Sequence, residues 1–315
     1  TYNFNPGWKL FVGDDENAAA TDFDDQTWKA VTLPHAWNED EAFKKSIEQL
    51  STGIAWYRKH FKVADARDQK VFLEFEGIRQ AGEFYLNGKF IGRHENGVTA
   101  FGFDISDLID PEKDNVLAVR IDNAWNYKEK ATNSGYQWSD KNFNANYGGI
   151  SKNVRLHVTG KLYQTLPLNA LLKTTGNYIY AKDFNITGKS AVVVSESEVK
   201  NETGEIKKVQ YEVEIIDADG KSIKTYSSSI QDIAPGNIVT LKAESLVNGL
   251  NFWSWGYGYL YTVISRLKLG GMTVDELKTK TGFRKGEFKN GMVYLNDRVL
   301  MMKGYAQRTS NEWPA

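Results

Sequence analysis

Apolar and polar residues alternate with a period of two through much of the chain, the pattern of strands with one buried face. Val71, Leu73 and Phe75 share a face, as do Leu117, Val119 and Ile121, and Val154, Leu156 and Val158. Tyr85-Leu86-Asn87-Gly88-Lys89 carries the Asn-Gly pair favoured by a type I′ hairpin, whose two central residues both need positive φ. Short strands separated by Gly, Asn and Asp continue to about Thr159 and predict an antiparallel β-sandwich. One helix is expected, over 38–50. Asn38 and Glu41 have capping-box spacing there, and Phe43, Ile47 and Leu50 give an apolar stripe.

Residues 160–169 read as a linker, in which Pro167 has no amide hydrogen for a ladder. Past it the aromatics thin out and Val, Ile, Thr, Ser and Lys take over. Val209, Tyr211, Val213 and Ile215 alternate, Asp217-Ala218-Asp219-Gly220 makes a turn, and 238–241 and 261–269 continue the pattern. About seven strands in roughly 110 residues is the size of an immunoglobulin-like sandwich. From Thr281 onward come a short strand, a turn at Asn296-Asp297 and the apolar run Val299-Leu300-Met301-Met302. Such a strand needs partners to cover it, so a further domain is expected to begin here, with the chain as the front portion of a larger protein.

Composition narrows the chemistry. A net charge of −1 over 315 residues, with scattered basic residues, argues against a nucleic-acid partner. The longest aliphatic run, 191–194, is too short for membrane insertion. The absence of cysteine excludes disulfides, thiol nucleophiles and thiolate metal sites. The four histidines are widely spaced and suggest no metal site, and no phosphate-binding Gly-rich loop or Gly-x-Ser-x-Gly elbow occurs. The sequence leaves cofactor and metal dependence unassigned.

Aromatic residues make up 13% of the chain and concentrate in one unusual stretch. Residues 122–149 hold six Asn and six aromatics without usable alternation. Long loops of this kind tend to be functional. Amides and carboxylates that bond hydroxyls, set among flat rings, suit a carbohydrate. The same residues also suit Asx-turns and rings that pin the loop to the sandwich.

Several phrases together resemble glycoside hydrolase family 2, the β-galactosidases, β-glucuronidases and β-mannosidases. They are Leu33-Pro34-His35-Ala36-Trp37-Asn38, Gly53-Ile54-Ala55-Trp56-Tyr57-Arg58, the hairpin region from Tyr85 to Gly97 with Phe103-Asp104-Ile105-Ser106, and Tyr147-Gly148-Gly149-Ile150. Lys152 or Asn153 stands where the last element usually has Arg. Trp253-Ser254 with Tyr259-Leu260-Tyr261 is similar to the family's Trp-Ser-Pro-x-x-Pro-x-Leu-Tyr, with Trp255 and Gly258 where prolines are expected. Thr281-Gly282-Phe283-Arg284, Leu295-Asn296 and Lys303-Gly304 resemble the approach to the family's catalytic barrel.

The resemblance implies an all-β chain: a jelly-roll sugar-binding β-sandwich (1–165), an immunoglobulin-like β-sandwich (166–282) and a short C-terminal piece of an unfinished TIM barrel (283–315), with a barrel strand at about Val299 to Gly304. It implies the N-terminal, non-catalytic region of a retaining exo-β-glycosidase, foremost a β-galactosidase, hydrolysing terminal β-glycosidic bonds. Such enzymes use a carboxylic acid and a carboxylate nucleophile about 5 Å apart. Both come from later barrel strands in the family and match nothing here, so no catalytic residue is assigned and the chain itself is expected to be inactive. Arg308, Asn311 and Glu312 would sit at the substrate edge of the barrel. Trp138, Asp140, Asn142 and Asn144 would reach it from the 122–149 loop. A carbohydrate is the expected partner, with room for a homo-oligomer. The expected location is the bacterial periplasm or another exported site, with the cytoplasm as alternative. A stand-alone carbohydrate-binding module, with Trp125 and Trp138 as stacking platforms, and a purely structural adhesion pair are the competing readings.

Overall fold

The structure is a computed structural model and describes residues 1–41, 44–63, 66–135 and 145–305. Among these, helix is confined to four short 3-10 segments, and everything regular besides is strand. The described chain divides into two compact units, Thr1–Val158 with Ala170–Leu172, and Thr159–Asn169 with Lys173–Tyr305.

In the first unit a six-stranded antiparallel sheet runs in the order Lys29–Val31, Trp8–Val12, Ile54–Phe61, Asn115–Asp122, Ala81–Leu86, Lys89–His94. A four-stranded sheet is ordered Tyr2–Asn3, Val154–Thr159, Lys70–Phe75, Phe101–Asp104. The alternating positions deliver the core as read. Val71, Leu73, Phe75, Leu117, Val119, Ile121, Val154 and Leu156 are all buried together with Trp8, Tyr57, Phe84 and Phe101. Phe75 stacks on Phe101 at 5.2 Å and meets Phe84 edge-on at 5.0 Å, which adds directional packing to the buried area. The Asn-Gly turn forms as expected: Asn87 and Gly88 take φ of 51° and 79° between paired Leu86 and Lys89.

The expected helix does not appear. Described residues of 38–50 form only the 3-10 turns Glu39–Glu41 and Ile47–Gln49, while Ala42 and Phe43 lie outside the described residues. The physical reason is that both presumed capping residues serve distant partners. Asn38 Nδ2 donates to the Ser51 and Asn146 carbonyls at 2.8 and 3.0 Å, and its Oδ1 accepts from Gly148 N–H at 3.0 Å. The Glu41 carboxylate accepts from Ser51 N–H at 2.6 Å and from Lys45 Nζ at 2.5 Å.

The second unit contains two antiparallel sheets of immunoglobulin-like size. One centres on Ser190–Asn201, flanked by Ile238–Asn248 on one edge and by Asn177–Asn185 and Leu162–Gln164 on the other. The Leu162–Gln164 strand lies inside the stretch that reads as linker. The other sheet runs Ser222–Ser227, Lys207–Ile216, Tyr261–Leu269, Met272–Thr281, with Gln231–Ile233 also paired to Lys207–Ile216. Val209, Tyr211, Val213 and Ile215 line its core with Tyr261 and Phe283. Gly220 N–H closes the 217–220 turn onto the Asp217 carbonyl at 3.1 Å.

Gly286–Lys289, Met292–Leu295 and Arg298–Leu300 form a three-stranded antiparallel meander, turning at Asn296-Asp297 with φ of 50° and 65°. The expected barrel strand over Val299–Gly304 is therefore not seen. Its first residues pair back onto Met292–Leu295, and residues 301–305 have no ladder partner. Val299, Met301, Met302 and Tyr305 are exposed.

Candidate functional site

The 122–149 loop leaves the six-stranded sheet at the end of Asn115–Asp122 and returns at Gly149–Ile150, which pairs with His35–Ala36. Its feet are fixed by interlocked amides. Asn123 Nδ2 donates to the Asn146 carbonyl at 3.1 Å, while Asn146 Nδ2 donates to the Asn123 carbonyl at 2.6 Å. Asn123 Oδ1 accepts from Gly53 N–H at 2.9 Å, and Asn146 Oδ1 accepts from Arg79 Nε at 3.2 Å. Trp37 N–H closes onto the Gly148 carbonyl at 2.8 Å, and Gly149 and Arg79 exchange backbone bonds of 2.8 Å in both directions. Asn38, Asn123, Asn146 and Arg79 are all buried. Buried amides cost free energy unless every donor and acceptor is matched, and here each bond depends on the loop leaving the sheet along one path.

Close approach enforces the same path. A Cβ on Gly148 would lie 2.3 Å from Asn123 Nδ2, and one on Gly149 would lie 2.5 Å from Tyr57 Oη. Tyr57 in turn is bonded to the His35 ring at 3.0 Å. Burial pushes the Tyr57 phenol up and the His35 imidazole down, so both favour their neutral forms.

Further out, residues 128–135 make a small turn: Glu129 N–H bonds the Ser134 carbonyl at 3.0 Å and Asn133 N–H bonds the Glu129 carbonyl at 2.8 Å. Glu95 clamps it, accepting from Tyr127 Oη and from Lys130 N–H. Burial, then the Glu95 hydrogen bond and charge, push the Tyr127 phenol above its ordinary value, which keeps it a donor. Below the clamp runs an ionic chain, Arg93–Glu83 at 2.5 Å, Glu83–Arg120 at 3.9 Å and Arg120–Asp14 at 2.6 Å. Asp122, Asn126, Tyr127, Glu129 and Asn133 border an open cleft of about 410 Å³. Carboxylates, amides and an aromatic ring there suit a hydroxyl-rich ligand. Among the described residues no cluster of His, Asp or Glu could hold a metal ion.

All seven predicted site residues lie outside the described residues: Trp138, Asp140, Asn142 and Asn144 in the loop, and Arg308, Asn311 and Glu312 near the C-terminus. Trp125, the other platform of the binding-module reading, is half-buried. Two of the loop's six asparagines, Asn123 and Asn146, are structural pins, as the Asx reading allowed. The sequence reading missed Asn38, Arg79 and Glu95 as the residues that aim the loop. Only the bracketing of 122–149 by asparagine could have hinted at the first two.

Comparison with known proteins places this arrangement. A family model described as glycosyl hydrolase 2 galactose-binding domain-like matches residues 34–158, and one for glycosyl hydrolases family 2 matches residues 178–284. A β-glucuronidase of Formosa agariphila is 31% identical over 99% of this chain and 32% of its own length. A β-galactosidase of Bacteroides ovatus is 28% identical over 90% of this chain and 31% of its own length. A solved β-glucuronidase from glycoside hydrolase family 2 superposes with a TM-score of 0.86 at 30% identity, over 94% of this chain and 32% of that one. The Bacteroides uniformis β-glucuronidase superposes with a TM-score of 0.78 at 25% identity, over 94% and 34%. The chain thus spans about a third of the length of the relatives it matches. The two matched domains together cover well over half of the sequence, in the order the fold presents them, and the chain belongs to glycoside hydrolase family 2.

Proposed function

We propose that the chain is the N-terminal, non-catalytic region of a retaining exo-β-glycosidase that removes a terminal β-linked sugar from carbohydrate. In this reading residues 1–165 are the sugar-binding jelly roll, 166–282 the immunoglobulin-like spacer, and 283–315 the lead-in to a catalytic barrel. The observation that supports it is coverage: named β-glycosidases match nearly all of this chain with only a third of their own length. The chemistry of a retaining glycosidase needs two carboxyl groups about 5 Å apart on barrel strands, and the two matched family domains end at residue 284. The stem described above then serves to aim the 122–149 loop, with Trp138, Asp140, Asn142 and Asn144 meeting the sugar, and Arg308, Asn311 and Glu312 lining the barrel edge.

A β-glucuronidase is 31% identical to this chain, and a solved β-glucuronidase superposes on it with a TM-score of 0.86. A β-glucuronide therefore stands ahead of the β-galactoside expected from sequence motifs. The test is hydrolysis of aryl β-glucuronide and aryl β-galactoside. The 315-residue chain alone should release no aglycone, and a protein extended by about 250 residues, a typical barrel, should turn over the glucuronide faster. Inertness of the extended protein on both substrates sinks the hydrolase reading, and a preference for the galactoside sinks the specificity.

A further inference from the structure

The second sandwich presents a row of rings that the proposed hydrolysis does not use. Phe283 and Tyr261 are core residues 5.4 Å apart, Tyr261 meets Tyr259 at 5.0 Å, and Tyr259 stacks on Tyr257 at 5.9 Å with planes 27° apart. The ladder runs from the interior to the surface, where Tyr257 is 53% exposed. Hydrogen bonds fix it. Tyr261 Oη accepts from Asn251 N–H at 2.7 Å and Tyr259 Oη accepts from Ala218 N–H at 3.2 Å.

Ser254 and Tyr257 exchange two backbone bonds of 2.9 Å, closing a tight turn with Gly256 at φ 79°. The turn's tip carries Trp255, 77% exposed, at a position where the family pattern leads one to expect proline. Asp217, Tyr257, Tyr259, Thr262 and Lys280 border an open cleft of about 530 Å³ at this ladder, within the range of ligand clefts. Asp217 borders the cleft with its carboxylate set by the turn, Oδ1 accepting from the Asp219 and Lys221 amides at 3.0 and 2.9 Å. Lys280 has no ion-pair partner among the described residues.

We propose that this cleft is a saccharide-binding site, distinct from the 122–149 loop, in which a sugar ring stacks on Tyr257. A pre-set ring loses little conformational entropy on binding, and its face matches the C–H face of a pyranose. Asp217 and Thr262 receive hydroxyls, and Lys280 meets a ring oxygen or a sugar carboxylate. The ligand class is a β-linked oligosaccharide. Only that class rests on the glycosidase reading; the site itself requires no turnover.

The experiment is calorimetric titration of the full chain with a glucuronate-containing tetrasaccharide and with β-galactotetraose. At least one should bind. Tyr257→Ala should weaken it tenfold or more, while Tyr257→Phe, which keeps the ring, should stay within about twofold. Silence with both sugars, or equal affinity in Tyr257→Ala, overturns the proposal. In the extended protein Tyr257→Ala should leave aryl-glycoside hydrolysis unchanged. Lost binding with intact hydrolysis, or the reverse, thus tells the two readings apart.

Discussion

Each sandwich holds an aspartate withdrawn from water, Asp25 buried and Asp275 half-buried, and the two are held by opposite means. In the first unit Asp25 is 5% exposed and accepts from Lys9 Nζ at 2.8 Å, Arg58 Nε at 2.8 Å and His60 Nε2 at 2.9 Å. Burial alone would raise its pKa; the hydrogen bonds from Lys9, Arg58 and His60 outweigh it and hold the carboxyl well below the usual range. In the second unit Asp275 accepts from Gln164 N–H at 2.8 Å, Gln164 Nε2 at 3.2 Å and Thr159 Oγ1 at 3.4 Å. Those donors are neutral, burial wins, and its pKa is raised. The same network extends through Ser265, Ser197 and Asn177, and a Ser195–Tyr211 bond of 2.7 Å joins it, with no charge until Asp275 itself. Burial has one sign in both places; the partner's charge decides which protonation state the fold prefers.

The largest effect expected from this contrast is at Asp25. Arg58 is fully buried, and its other partners are the Ala18, Ala20 and Phe23 carbonyls. Asp25→Asn leaves that guanidinium without its counter-charge and should cost roughly 3–5 kcal/mol. The sign with pH follows from a depressed folded pKa. Asp25 contributes its stability above the unfolded aspartate value, about 3.9, and loses it as pH falls through the lower folded one. Thermal melts of both proteins from pH 7 downward should therefore converge in acid. A loss under about 1 kcal/mol at pH 7 would dissolve the comparison.

Next in size is a pair of glycines with positive φ, one in each unit. Gly149 has φ 139° and would place a Cβ 2.5 Å from Tyr57 Oη and 2.7 Å from the His35 carbonyl. Gly271 has φ 88° with nothing within 4 Å. Gly149→Ala should cost the backbone strain, about 1–3 kcal/mol, and add a clash with the loop stem. Gly271→Ala costs the strain alone, about 1–3 kcal/mol, with no clash added. Hydrogen exchange at Gly53 N–H, which reports the Asn123 stem bond, should speed up only in the Gly149 variant. Equal effects would mean that the stem is not tightly packed.

These pairs show how much the sequence could reveal. Strands, the Asn87-Gly88 turn and the Asn296-Asp297 turn were legible because alternation and positive-φ residues are local properties. Asn38 misled because its determining partner, Asn146, is 108 residues away. Leu162–Gln164 is too short to show alternation and is a strand only because Ser190–Asn201 offers it an edge. Nothing local in the sequence sets Asp25 or Asp275 apart from the other acids, since neither Arg58 nor Gln164 is near in sequence. The carbohydrate chemistry was suggested by Asn and aromatic density in 122–149, yet two of the amides there, Asn123 and Asn146, are the mount for the loop.

The smallest expected effect is the sharpest test of the contrast. Asp275→Asn keeps an oxygen for both Gln164 donors and supplies an amide that can donate to Thr159 Oγ1, while removing the charge that burial disfavours. A raised folded pKa means that the stability Asp275 contributes is fully present below the unfolded value and is lost as pH rises through the folded one. The variant should thus equal or exceed the parent at pH 7, by no more than about 1 kcal/mol, the scale of one hydrogen bond. Near pH 4 the advantage should vanish. The two units can unfold separately, so the readout should be local: exchange of the Thr165 N–H, which bonds the Glu198 carbonyl at 2.9 Å beside the network. A loss at pH 7 comparable to that of Asp25→Asn would mean that Asp275 is held as an anion after all, and that neutral donors suffice to keep a buried charge in this fold.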